Sequence, residues 1–312
     1  MSTPHTYSRF FITGLPRTGT TWMMSLVNQI TGICCYGESK LYSSAVRDTP
    51  SLASLLINTI RPWAQIIARR KHNIFRADNV IHTIERENVV PEQTVAKAIE
   101  ITAMAALRGI TDCVLVPDDE ETVVVGEKTP QMYPAELELI AKAEAEAFIV
   151  IMRRNVYDWI VSWARFYYTR RCAHAAEWMC IPFTDDDYLH LDRVFHSEET
   201  RFLPDGTLEK LARRWSEYEA CTQRLGGREH IMVIDYEVLI RHTKAVLAEI
   251  LDCLIKYDPA EIDMAVAACD IAHQNRRAVM SSHINAPEPG RNKELLSERD
   301  IRVIAKAMGW GG

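Results

Sequence analysis

The sequence predicts an α/β fold, a central parallel sheet flanked by helices on both faces, organised as one domain over residues 1–312. Two observations carry this expectation. Short apolar, β-branched runs alternate with longer helical stretches, the pattern of parallel strands covered by helices. The first three of those runs are each followed by a polar cluster, at Gly14, at Glu127-Lys128 and at Arg154. Parallel strands end on one edge, so the three clusters are expected to converge where α/β folds bind ligands. With 47% hydrophobic and 25% charged residues, the chain has the composition of a soluble globular protein with a substantial core.

The elements follow in order. Residues 9–13 read as the first strand and residues 20–30 as a helix stopped by Gly32. Residues 40–110 read as mostly helical, punctuated by Pro50, Pro62 and Pro91, and are assigned to a substrate-binding insertion. A strand over 122–125 precedes a helix that opens at Pro134, a residue suited to a first turn, and runs to about Ala145. The most apolar run, 147–152, is a strand feeding a helix over 155–171. Residues 172–205 read as an irregular, lid-like segment in which Asp185, Asp186 and Asp187 form a solvated charge run. A helix over 207–225 ends at Gly226-Gly227, a strand covers 231–234, and one helix covers 238–255. Residues 281–291 read as a second irregular segment, and Ser297 with Asp300 gives a capping-box start for the last helix.

Charge and cysteine usage narrow the function classes. A net charge of −6 and a pI near 6.0 argue against a general nucleic-acid or anionic-membrane binder. No apolar stretch approaches the ~20 residues of a membrane span, and residues 1–8 lack a signal-peptide core, so a cytoplasmic location is expected. The eight cysteines show no paired C-x-x-C pattern. Cys172, His174 and Cys180 are the tightest ligand-like group, and without that pattern no metal is expected.

The first strand leads into Gly14-Leu15-Pro16-Arg17-Thr18-Gly19-Thr20-Thr21, which matches the glycine and hydroxyl positions of the phosphate-binding pattern G-x-x-x-x-G-K-[ST]. Thr20 stands where the lysine belongs. The glycines let backbone N–H groups close on an anionic oxygen, and the helix beginning there adds its positive end. Without a lysine to reach β- and γ-phosphates, triphosphate chemistry is disfavoured. Arg17 remains as the loop's cation. The loop suits one 5′-phosphate with a transferable anionic group.

Pro16-Arg17-Thr18-Gly19-Thr20-Thr21-Trp22 resembles the 5′-phosphosulfate loop of the sulfotransferases. Arg154 followed eight positions later by Ser162 resembles that family's 3′-phosphate pair. Gly126-Glu127-Lys128-Thr129-Pro130 resembles the E-K-[ST]-P segment of its carbohydrate-type members, and Val233-Ile234-Asp235-Tyr236-Glu237-Val238-Leu239 its V-x-Y-E-x-L stretch. A weaker fifth block lies at Gly290-Arg291, where Asn292 replaces the usual tryptophan. The blocks occur in family order and point to the bacterial and carbohydrate-type branch. The resemblance implies a P-loop-containing three-layer fold and transfer of a sulfuryl group from 3′-phosphoadenosine 5′-phosphosulfate (PAPS), without a metal, to a hydroxyl of a small-molecule or carbohydrate-containing acceptor.

The resemblance also implies roles. Arg17 would stabilise charge on the leaving phosphate, and Thr18, Gly19, Thr20 and Thr21 would hold the 5′-phosphate. Trp22 would pack by the adenine, or else in the core with Leu26, four residues on. Arg154 and Ser162 would take the 3′-phosphate, with Arg291 as a further candidate. Strand alternation lets only one of Arg153 and Arg154 reach the ligand. The K-T-H histidine of small-molecule sulfotransferases is absent, since Pro130 stands there. Bacterial and carbohydrate-type members use a glutamate shortly after the first helix instead, so the resemblance implies Glu38 as the general base, with Glu127 as the alternative. Lys128 would steady the sulfuryl or bridging oxygen, or form a structural salt bridge. Two other readings stay open: a P-loop nucleotide kinase, and a non-catalytic protein that binds adenosine 3′,5′-bisphosphate (PAP) or a partner on the same scaffold.

Overall fold

The structure, a computed structural model, describes residues 7–37, 92–117, 119–131, 133–169, 183–196, 202–269 and 295–310. Its centre is a five-stranded sheet, β1 (Arg9–Gly14), β2 (Ile33–Tyr36), β3 (Val124–Lys128), β4 (Phe148–Arg153) and β5 (Ile231–Asp235), in the order β2-β3-β1-β4-β5. Every pairing is parallel, with Phe10 opposite Phe148 and Gly126, and Ile149 opposite Ile231. All five carboxyl ends therefore lie on one edge.

Side-chain alternation along the central strands builds two cores. Phe11, Ile149 and Ile151 face α3 (Pro134–Ala143), α4 (Val156–Thr169) and α6 (Asp205–Leu225), where Leu137, Trp159 and Leu211 pack on them. Phe10, Ile12, Val150 and Met152 face α1 (Thr20–Val27), α8 (Thr243–Leu254) and α9 (Pro259–Ala268), meeting Met23, Leu26, Leu247 and Ile262. Strands apolar on both faces are what a sheet covered on both sides requires. The remaining described helices are α2 (Glu92–Val114), α5 (Asp185–His196), α7 (Tyr236–Arg241) and α10 (Glu298–Ala307). No helix of the described residues is long and apolar enough to cross a membrane.

The tertiary structure corrects several local expectations. Ile33-Cys34-Cys35-Tyr36, assigned to no element above, is a strand, because β3 offers a free edge and Asn28 pins Cys35 by accepting from its N–H (2.6 Å) and donating to its carbonyl (2.9 Å). Residues 185–196 form a helix inside the segment read as irregular. Thr184 and Asp187 cap it reciprocally, the Thr184 N–H and hydroxyl donating to Asp187 Oδ2 at 2.7 and 2.8 Å and the Asp187 N–H returning to Thr184 Oγ1 at 3.3 Å. Asp187 is thus buried, while Asp185 and Asp186 are exposed at the positive end of the helix. The helix expected over 238–255 is two, α7 and α8, separated at His242 with φ −131°. Helix α9, unforeseen, starts from the capping box of Asp258 and Glu261, and α10 starts at the expected box of Ser297 and Asp300. Of the insertion assigned to 40–110, residues 92–110 are helical and 40–91 lie outside the described residues; so do 172–182 and 197–201 of the lid-like segment, and all of 281–291.

Gly126 leaves no room for a side chain, since a Cβ there would lie 2.3 Å from Phe10 Cε1 in the adjoining strand. Gly126→Ala is expected to destabilise the fold by about 1–3 kcal/mol through overpacking, read as a lower urea midpoint at constant m-value.

Candidate functional site

The loop after β1 is built by forbidding side chains at both ends. Gly14 has φ 147°, and a Cβ on it would sit 2.3 Å from the Met152 carbonyl oxygen of β4. Gly19 has φ 94°, and a Cβ on it would sit 2.4 Å from the ring of Tyr236, the first residue of α7. Arg17 also takes a left-handed conformation, φ 75°, which non-glycine residues adopt only where their surroundings impose it. The surroundings are hydrogen bonds to three successive carbonyls. Thr18 donates to Leu15 O through its N–H (3.2 Å) and its hydroxyl (2.7 Å), Trp159 Nε1 donates to Pro16 O (2.9 Å), and Arg154 Nη1 donates to Arg17 O (3.0 Å).

With its carbonyls engaged, the turn leads straight into α1. The first intrahelical bond runs from Met23 N to Gly19 O (3.0 Å), so the N–H groups of Thr20, Thr21 and Trp22 precede the ladder. No side chain caps them, and no acidic residue occupies the first turn. Uncapped N–H groups and a positive helix end form an anion site. Thr18 spends both its N–H and its hydroxyl proton on Leu15 O, so the open N–H groups are those of Thr20, Thr21 and Trp22.

The sheet brings the other clusters to this loop. Lys128, at the end of β3 and 7% exposed, places Nζ 3.5 Å from Thr21 Oγ1. Beyond β3 the chain continues alongside β1, with Thr129 N donating to Ile12 O (2.8 Å) and Gln131 N to Gly14 O (2.9 Å). Arg154, just past β4 and 4% exposed, lays its guanidinium 4.5 Å from the centre of the Tyr236 ring while bonding the Arg17 carbonyl. Burial lowers the Arg154 pKa from the ordinary arginine value, against the opposing pull of Tyr236, Asp158 and Glu237. Burial likewise raises the Tyr236 pKa, against the opposing charges of Arg154 and Arg17. The Arg17 guanidinium lies 5.0 Å over the ring of Phe166 on α4. Ser162 is buried on the same helix.

Other candidates stand apart from this cluster or deeper in the fold. Trp22 is core-packed with Leu26 and edge-on to Tyr236, and its Nε1 donates to Cys269 O at 3.0 Å, tying α1 to the end of α9. Glu127 is fully buried and, by alternation, faces the opposite side of β3 from Lys128. Arg153 turns away from the loop to Asp235 and Glu219. Glu38 and Arg291 lie outside the described residues, as do Cys172, His174 and Cys180. Among the described residues no group of His, Cys, Asp and Glu is placed to hold a metal. Sequence reasoning assigned no role to Tyr236, the floor under both Gly19 and Arg154, although its motif block contained it. It also missed Gln131, fully buried beside Gly14 with an amide that has no hydrogen-bond partner among the described residues; nothing in the local sequence signals that burial.

The profile of the family described as "Sulfotransferase family" matches residues 9–258. Comparison with curated protein sequences gives no match. Among solved structures, mouse sulfotransferase SULT7A1 complexed with PAP is similar at TM-score 0.51 and 10% identity, over 98% of this chain and 84% of that one. Retinol dehydratase in complex with androsterone and inactive cofactor PAP aligns at TM-score 0.49 and 13% identity, over 98% and 81% of the two chains. The sulfotransferase domain of the Synechococcus PCC 7002 olefin synthase aligns at TM-score 0.43 and 16% identity, over 98% and 96%. The SULT7A1 likeness shows the shared fold.

Gly19→Ala combines a strained φ with the Tyr236 clash and is expected to lower stability by more than about 1 kcal/mol. Adding Tyr236→Ala removes the clash but not the strain. Urea denaturation of both single variants and the double variant should therefore show a less-than-additive loss, with a coupling of about 0.5–3 kcal/mol.

Proposed function

Because the chain belongs to the sulfotransferase family, we propose that it transfers a sulfuryl group from PAPS to a hydroxyl of a small-molecule or carbohydrate-containing acceptor. The observation that carries this reading is the Arg154–Arg17 hydrogen bond, which sets a buried guanidinium against the back of an anion-binding loop. Two anion sites side by side suit a nucleotide phosphorylated at both 5′ and 3′ positions. The PAP held by the SULT7A1 structure supports the same donor.

In this reading the 5′-phosphate sits on the N–H groups that open α1, and Arg154 with Ser162 takes the 3′-phosphate as fork and hydroxyl. Arg291 is a further donor contact. Transfer of SO3 between oxygens passes through a loose in-line transition state by analogy with phosphoryl transfer, and negative charge grows on the leaving phosphate oxygen. Arg17, held inside the loop by its own strained backbone, supplies the compensating charge. Lys128, beside Thr21, steadies the bridging or sulfuryl oxygens. Glu38 accepts the acceptor's proton; a carboxylate with a pKa of about 4.3 is ionised at neutral pH. Glu127 is less suited to the role, since it is fully buried. Residues 40–110 and 172–205 would shape the acceptor pocket.

Thermal shift tests the donor. PAP is expected to raise the melting temperature while ATP leaves it unchanged, and the reverse result would make the chain a nucleotide kinase. Transfer of labelled sulfate from PAPS, run against a panel of hydroxyl acceptors, tests the reaction; PAP binding with no transfer to any acceptor would favour a non-catalytic binder.

Arg17→Ala should cut turnover by about a hundredfold or more, the scale of losing one transition-state charge contact, and change PAP affinity far less. Glu38→Gln should abolish transfer and leave PAP affinity intact. Full activity in that variant would move the base to Glu127.

A further inference from the structure

Beyond the ends of β4 and β5 the strand pairing is carried on by side chains. Arg153 faces Asp235 in register and forks onto it, Nε to Oδ1 at 2.5 Å and Nη2 to Oδ2 at 2.9 Å. One residue on, Arg154 stacks over Tyr236 (4.5 Å), and one further, Asn155 N donates to Glu237 Oε1 (3.0 Å). Helix α6 grips the same joint from the side. Glu219 accepts from Arg153 Nη1 at 2.8 Å, and Trp215, one turn earlier, donates Nε1 to the Arg154 carbonyl at 2.9 Å. Glu219 is itself braced by Gln223 Nε2 at 3.0 Å.

Arg153 therefore engages each of its three guanidinium nitrogens with a carboxylate, which turns its charge toward β5 and α6. Arg154 is the converse. Its Nη1 holds the Arg17 carbonyl, while its buried Nε has no hydrogen-bond partner among the described residues. A hollow no larger than a water molecule, bordered by Leu15, Thr18, Met152, Trp215 and Tyr218, lies beside Arg154. The aim of Arg154 depends on how firmly the 153–154 peptide is held, by Trp215 on its carbonyl and by the neighbouring Arg153 clamp.

We propose that Arg153 is a positioning residue whose clamp on Asp235 and Glu219 aims Arg154 and so sets the preference for a 3′-phosphorylated nucleotide. This rests on the donor reading above. Removing the clamp should weaken the grip on the 3′-phosphate more than that on the 5′-phosphate, whose loop keeps its Trp159 and Thr18 anchors even where Arg154 shifts from the Arg17 carbonyl.

Isothermal titration of the full-length chain with PAP and with adenosine 5′-monophosphate separates these effects. For Arg153→Met the affinity for PAP is expected to fall about tenfold, the scale of one misaligned charge-assisted hydrogen bond, with the monophosphate affinity falling far less. Glu219→Gln, milder toward folding, should shift the PAP-to-monophosphate ratio the same way by a smaller factor, and Arg153→Lys should recover part of it. An equal loss for both nucleotides would mark Arg153 as merely structural, and an unchanged ratio in both Arg153→Met and Glu219→Gln would also overturn the proposal. A wild-type chain that binds both nucleotides alike would bring down the donor reading, and this inference with it.

Discussion

A loop can turn its N–H groups toward an anion only if its carbonyl oxygens are occupied elsewhere. That constraint governs the carboxyl edge of this sheet. Leu15, Pro16 and Arg17 each offer a carbonyl, and Thr18, Trp159 and Arg154 take them one by one. The donors come from the loop itself, from α4 and from the end of β4. The geometry at Gly14 is consequently a property of the assembled sheet and its helices. The left-handed backbone at Arg17 is the visible strain, and it persists because its neighbours on both sides are fixed.

Strand alternation divides labour between adjacent residues with similar chemistry. Arg153 and Arg154 stand side by side, yet one is spent on carboxylates along β5 and α6 while the other reaches the loop after β1. Glu127 and Lys128 part in the same way: the lysine joins Thr21 on the α1 side, and the glutamate is buried toward the other layer. A period of two residues thus decides which of two neighbouring charges is offered to a ligand. Tyr236 binds the arrangement from below, since its ring excludes a Cβ at Gly19 and carries the Arg154 guanidinium.

Much of the scaffold is legible without coordinates. Gly14 and Gly19 announce a turn that needs positive φ, and both have it. The runs over residues 10–12 and 148–152 are apolar at every position, as strands buried on both faces must be. What escaped detection depends on partners distant in sequence. The strand at Ile33–Tyr36 is short and bears two cysteines; it forms because β3 is there to pair with it. The helix at Asp185–His196 hid behind a run of aspartates, and the capping role of Asp187 through Thr184 emerges only once the helix is in place.

Composition, glycine placement and motif spacing by themselves determined the fold class, the glycine-flanked turn after the first strand and the order of the blocks that mark the family. They could do so because backbone preference and hydrophobic periodicity are local properties of the chain. Only the tertiary structure decided which arginine turns to the loop, that Tyr236 lies beneath it, that Trp22 is tied to Cys269, and that Gln131 is buried beside Gly14. Each of these is a contact between segments far apart in sequence, and its energy comes from burial and hydrogen bonding that exist only after the sheet has closed.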